Sequence, residues 1–353
     1  MGNFSEMTPR ERWEAALRRV KPDRLPMDYR ATTEFTEKLL KYAGCPDLDA
    51  FCEKYHIDRP FGVGPKYTGP AFARDYDVFG CRFAWMEYRT GRYRECVYNP
   101  LAPYTSADDI ERNYTWPNAD LYDFSHIAAE VAANADKPVM GGGWEPFLVY
   151  KQLRGEEQGY IDLIENPDIC HYIMGKLFDF FFELTRRTLE AAGGKALLSF
   201  CSEDLGGQTG LLYSPAQIRK FFLPHHKKMI DLQHSFGAYA YWHTDGASRE
   251  ILPDLLALGI DVLDPVQWRC PGMEREGLMR DFGDKLIFHG TIDNQWTLPF
   301  GTEDDVRAEV RKNFDIFGAR GGYIMGPCHN IQPVGPPENA VAMYETGYNE
   351  CRY

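Results

Sequence analysis

The sequence is short of positive charge: 39 Lys and Arg face 52 Asp and Glu, a formal net charge of −13 at pH 7. Nucleic acid and anionic membrane are therefore disfavoured as partners, because like charges would meet without counterions to release. The chain also lacks an apolar run of membrane-spanning length. Its opening, Met1-Gly-Asn-Phe-Ser-Glu-Met-Thr8, has no charged leader ahead of an apolar stretch. Both absences lead us to expect a cytoplasmic protein. The nine cysteines include no C-x-x-C pair, and an odd, scattered set fits a reducing compartment better than a disulfide framework. No low-complexity run or Pro/Gly/Ser linker divides the chain, so residues 1–353 read as one domain.

What the sequence does have is a regular alternation of short apolar runs and long amphipathic ones. Lys137–Gly143, Ala196–Glu203, Ala238–Gly246, Asp261–Gln267, Leu286–Asp293 and Gly321–Cys328 read as strands. Helices open at Asn166-Pro167, Ser214-Pro215 and Thr302 with Asp305, where a capping side chain meets proline or an acid. They close at Gly193, Gly237 and Gly318, where glycine can adopt a left-handed conformation. Strands joined by helical crossovers must run parallel, in an open doubly wound sheet or a closed (β/α)8 barrel. The barrel is favoured because successive strand ends carry polar groups: Glu145, Glu203-Asp204, His243-Thr-Asp245, Gln267, His289 with Asp293, and Cys328-His-Asn330. In a barrel those ends converge on one mouth. The first 130 residues are expected to form a flank and the first barrel elements, ahead of the main barrel in 131–353. Thr8-Pro9 starts a helix there, Arg24–Tyr29 is a candidate first strand, and Gly80–Pro100 alternates like a hairpin turning at Thr90-Gly91.

His243 and Asp245, two apart on a strand, should present their side chains together, while Trp242 faces the opposite layer. With Cys328 at another strand end they offer imidazole, carboxylate and thiolate, three zinc ligands that would leave a coordination position open. The plainer alternative is that His243 and Asp245 hydrogen-bond at the strand end and Cys328 is one more buried thiol. The aromatic content is high, at 14%. Most rings belong to the core, including those of Phe178, Phe180, Phe181 and Phe182. Trp144, Tyr241 and Trp268 adjoin the strand-end residues and could wall a flat apolar substrate.

From about residue 137 to 348 the sequence resembles the uroporphyrinogen decarboxylase superfamily. The resemblance rests on Trp144-Glu-Pro-Phe147, Glu203-Asp-Leu-Gly206, Ser214-Pro215 with Leu223-Pro-His225, and His243-Thr-Asp-Gly246. It continues through Leu258-Gly-Ile-Asp-Val-Leu-Asp-Pro-Val-Gln267, His289-Gly-Thr-Ile-Asp293, Leu298-Pro-Phe-Gly301, Gly326-Pro-Cys-His-Asn-Ile-Gln332 and Pro336-Pro-Glu-Asn339. It implies a (β/α)8 barrel and a homodimer. The superfamily holds true decarboxylases and zinc-dependent, corrinoid-linked methyltransferases. The decarboxylase branch carries an R-x-x-G-R-Y segment after its first strand to grip propionates, whereas only Arg30 occupies that region here and Gly91-Arg92-Tyr93 is a partial echo far downstream. The branch's pyrrole-binding Asp is matched poorly, by Asp58. A tetra-anionic porphyrinogen needs several pocket cations, so that activity is not expected.

The methyltransferase branch binds zinc through an H-x-C strand end and a second Cys near the C-terminus. Here His243 matches the His, Cys328 matches the second Cys, and Asp245 stands where the first Cys would be. The resemblance therefore implies Zn2+ on His243, Asp245 and Cys328, with Glu145 as a further ligand or a supporting carboxylate. It also implies methyl transfer between a small methylated donor or acceptor, such as a phenyl methyl ether, and a corrinoid (cobalamin) carried by a partner protein. Glu203 and His289 are candidates for proton transfer, as are Asp204 and His329. Trp144, Tyr241, Gln267, Trp268 and Asn330 are candidates for holding substrate. Two other readings stay open: a metal-free decarboxylase or lyase of a non-porphyrin acid, and a non-catalytic barrel that binds a corrinoid or tetrapyrrole.

Overall fold

The computed structural model describes residues 6–88, 91–143 and 145–353. Seven strands form one sheet in the chain order Phe61–Val63, Val139–Gly141, Leu198–Ser202, Tyr239–His243, Val262–Asp264, Ile287–His289 and Tyr323–Ile324. Every adjacent pair is parallel. The 25–29 segment lies in the gap between the last strand and the first. Met27 pairs in parallel with Met325, the Asp28 N–H donates to the Met325 carbonyl at 2.7 Å, and the Asp58 N–H donates to the Met27 carbonyl at 2.7 Å. The sheet thus curls into a (β/α)8-type barrel with helices outside.

Alternation along the strands divides the core into two layers, as a two-residue period requires. Leu198, Tyr241, Val262, Ile287 and Ile324 point inward and pack with Trp13, Ala16 and Leu17, the buried face of the Pro9–Leu17 helix. That helix fills the bottom of the barrel. Cys201, Ala240, Trp242, Leu263, Phe288 and Tyr323 point outward into the main layer beneath the helices. Trp242 therefore faces away from the barrel axis, as the alternation predicts.

Thr8, Ser214 and Thr302 each close a capping box with the residue three positions on, satisfying backbone donors that a helix start leaves orphaned. Asn166 differs. Its side chain donates to Asp162 Oδ1 at 2.9 Å and makes no capping bond to the Pro167–Ala191 helix. The helix opened by Ser214 is a composite, with a π-turn over Ile218–Phe222 between Pro215–Gln217 and Leu223–Ser235. The flank holds the expected hairpin, Arg82–Tyr88 antiparallel to Gly91–Tyr98. Thr90, half of its expected turn, lies outside the described residues. None of the described helices is long and apolar enough to cross a membrane.

Candidate metal centre at the barrel mouth

His243 ends its strand, and two loops lock around it. The Glu203 N–H donates to the His243 carbonyl at 3.1 Å, and the Thr244 N–H donates to the Asp264 carbonyl at 2.8 Å. The buried Thr244 hydroxyl accepts the Leu205 N–H at 3.0 Å. Asp245 lies just past the strand and is oriented by its neighbours. Its N–H donates to Asp204 Oδ1 at 3.1 Å, and its Oδ1 accepts from Gln267 Nε2 at 2.9 Å. The other end of the same Gln267 amide accepts the Gly246 N–H at 2.7 Å. Gly246 has φ +76°, and a Cβ there would lie 2.4 Å from the Gly207 carbonyl oxygen, so the close approach of the two loops requires glycine.

The structure brings His243, Asp245 and His329 together. One ligand atom from each lies within 4.8 Å of the others, and all three residues are half-buried at the C-terminal end of the strands. Glu145 stands beside the same site: burial, then the charge of Asp204, raises its carboxyl above the ordinary range.

Beneath the site is a buried carboxylate. Asp264 Oδ2 lies 2.8 Å from His243 Nδ1 and accepts from Arg30 Nη1 at 2.7 Å, while Oδ1 lies 2.6 Å from His289 Nδ1. Burial opposes its charge, but Arg30, His289 and His243 hold Asp264 well below the usual carboxylate range. Burial likewise opposes the charged form of His243, yet the hydrogen bond and charge of Asp264, joined by Asp245, carry its pKa up to about 9. A carboxylate on one ring nitrogen fixes the imidazole and leaves the other nitrogen for a ligand. This role for Asp264 is not foreseen in the sequence, where it reads as part of an apolar strand.

Several candidates from the sequence stand elsewhere. Cys328 is fully buried, its thiol donates to the Val266 carbonyl at 3.3 Å, and burial pushes it well above the ordinary cysteine range. The grouped ligand atoms are those of His243, Asp245 and His329, without Cys328. His289 is sealed inside the barrel, its Nδ1 against Asp264 and the Tyr241 hydroxyl and its Nε2 3.2 Å from Asp28 Oδ2. Tyr241 is buried too, its hydroxyl bonded to His289 and Arg30. Neither residue forms a wall of the mouth. Gln267 clasps Asp245. Trp268 carries the guanidinium carbons of Arg275 and Arg269 at 3.4 and 4.4 Å from its ring centroid, and its Nε1 donates to Glu309 at 3.2 Å.

Glu203 is buried beside the mouth and accepts the Phe147 N–H at 3.2 Å. Burial, then the charge of Glu145, raises its carboxyl well above the ordinary range. Asn330 is half-buried on the same loop as His329, and its carbonyl accepts from Gln332 Nε2 at 3.1 Å. Trp144 lies outside the described residues.

Asp58 is no ligand-binding carboxylate. It is buried at the foot of the barrel, tied to Arg12 at 2.5 Å and to Arg24 at 2.8 Å. Arg30, the single cation in the expected propionate-binding region, is already engaged by Asp264 and Tyr241.

Known proteins share this architecture and sequence pattern. The chain is 28% identical over 208 residues to uroporphyrinogen decarboxylase of Syntrophotalea carbinolica, a match covering 59% of this chain and 54% of that protein. It is 28% identical over 214 residues to the same enzyme of Geotalea daltonii, covering 59% of each. These matches span little more than half the length of the curated relatives. In fold the chain is similar to a methyltransferase from Methanosarcina mazei, with a TM-score of 0.70 and 19% identity over 97% of this chain and 99% of that one. The model of the family Uroporphyrinogen decarboxylase (URO-D) matches residues 99–349, well over half of the chain. The protein therefore belongs to the uroporphyrinogen decarboxylase (URO-D) family.

Proposed function

We propose that this protein is a metal-assisted methyltransferase that moves a methyl group between a small methylated compound, such as a phenyl methyl ether, and a corrinoid protein. The observation that carries the reading is the convergence of His243 and Asp245 at the barrel mouth, with ligand atoms gathered within 4.8 Å and His243 fixed from behind by Asp264. Two imidazoles and a carboxylate are a chemically suitable donor set for zinc or a similar divalent ion. When bound, such an ion polarises the heteroatom that carries the methyl group.

The chain's own residues prepare that chemistry. Asp264 orients His243, Gln267 and Asp204 orient Asp245, and Glu145, its carboxyl raised by burial, stands at the same mouth to return a proton to the departing heteroatom. The acidic surroundings disfavour a polycarboxylate substrate, and the one basic residue in the expected propionate-binding region is already paired. A homodimer and a cytoplasmic location belong to the same reading.

The competing reading is decarboxylation, the activity named for the curated relatives. The test is to incubate zinc-loaded protein with cob(I)alamin and a phenyl methyl ether and follow formation of methylcobalamin spectroscopically. Methylcobalamin formed in step with release of the phenol supports methyl transfer. Release of CO2 from a carboxylic acid without a corrinoid overturns it.

A further inference from the structure

The residues after the Tyr323–Ile324 strand decide which side chains reach the mouth. Ile292 pairs in parallel with Pro327, and the Cys328 N–H donates to the Ile292 carbonyl at 2.8 Å. The chain bends at Cys328 and His329 immediately after that pairing, and the two neighbours end in different surroundings. The Cys328 thiol is buried on the Val266 carbonyl, whereas the His329 ring centroid lies 6.2 Å from that of His243.

We propose that His329, and not Cys328, is the third protein ligand, so that the centre is a thiolate-free site of two imidazoles and one carboxylate for a divalent first-row cation. This rests on the metal-assisted reading above and deepens it. Ligand charge gives it a chemical consequence. An imidazole with two thiolates cancels a divalent charge, whereas two neutral imidazoles with the Asp245 carboxylate leave a net charge of +1. A centre that keeps positive charge is the stronger Lewis acid, and nitrogen and oxygen donors favour harder partners than thiolates do. The site therefore suits a substrate that presents an ether or hydroxyl oxygen, and suits a thiol less well.

Cobalt substitution reads the ligands directly, because thiolate bound to Co2+ gives an intense near-ultraviolet charge-transfer band that nitrogen and oxygen ligands do not. Purified protein titrated with Co2+ should show the weak visible bands of a bound ion without the thiolate band. Cys328→Ser should leave the spectrum and the stoichiometry unchanged. His329→Ala should weaken Co2+ binding by more than the roughly 10–100-fold typical of supporting residues. His329→Cys should restore binding and introduce the thiolate band, which guards against an uninformative loss of fold.

A thiolate band in the unmodified protein that disappears in Cys328→Ser overturns the inference, and so does full Co2+ affinity in folded His329→Ala. Failure of the unmodified protein to bind Co2+ overturns the inference and the metal-assisted reading together. Thiolate-free binding lost in His329→Ala, in a protein that transfers no methyl group, upholds the ligand assignment and defeats the methyltransferase reading alone.

Discussion

Asp264 Oδ2 lies 2.8 Å from His243 Nδ1 while its Oδ1 lies 2.6 Å from His289 Nδ1, so one buried carboxylate orients two imidazoles. Asp264→Asn keeps the shape but removes the charge and turns one of its two acceptor oxygens into an amide donor, which meets either His289 or the pair His243 and Arg30. We expect metal affinity to fall by about 10–100-fold. Stability should fall by about 3–5 kcal/mol, because a buried charge network loses its centre. Calorimetric titration with Zn2+ and urea unfolding would measure the two effects, and unchanged affinity would refute the orienting role.

Gly246 sits where the two mouth loops nearly touch. Gly246→Ala places a methyl group on a left-handed residue and 2.4 Å from the Gly207 carbonyl oxygen, a strain of about 1–3 kcal/mol. The loops must separate, and the Gln267 clasp on Asp245 separates with them. The expected result is a lowered Tm together with weakened metal binding.

Trp268 looks in the sequence like a substrate wall, but its ring is occupied by two guanidiniums and its indole N–H by Glu309. Trp268→Ala should destabilise the protein by about 3 kcal/mol and leave KM for the methyl donor unchanged. A raised KM at unchanged Tm would restore the substrate role.

His226 gives the fold an acid limit. Burial, then the neighbouring His225, lowers its pKa to about 3. It packs against Trp242 with ring centroids 4.7 Å apart, and its Nδ1 lies 3.2 Å from Cys201 Sγ. The unfolded chain takes up the proton near the ordinary value of about 6.5, so protonation favours unfolding. The contribution is complete above pH 6.5 and fades as the pH falls toward about 3, for a total of about 5 kcal/mol. In urea unfolding at a series of pH values, His226→Leu should flatten the slope in that window. An unchanged slope would remove His226 as its source.

The sequence and the structure agree best where local patterns suffice. Period-two alternation separates Tyr241 from Trp242, and the capping boxes at Thr8, Ser214 and Thr302 follow from spacing. The pairing of His243 with Asp245 was also legible, because both lie at one strand end. What escaped depends on distant neighbours. Phe61–Val63 is too short to show a period, whereas the 25–29 segment, within the expected first strand Arg24–Tyr29, takes its place through bonds to Met325 and Asp58. That His329 and not Cys328 joins His243 and Asp245 depends on the bend that follows Pro327, and the two are adjacent in sequence. Asp264 sits in an apolar run and gains its meaning from Arg30, more than two hundred positions away.

The Pro9–Leu17 helix, with Trp13, Ala16 and Leu17 wedged among the inward strand side chains, makes the barrel a cup closed at its base. Traffic to His243 and Asp245 has to pass through the opening against which a corrinoid protein would sit. Under the proposed methyl transfer, small molecule and protein partner share one doorway, and turnover should be ordered: the small molecule loads first, the partner docks over it, and the small product leaves only after the partner lifts away.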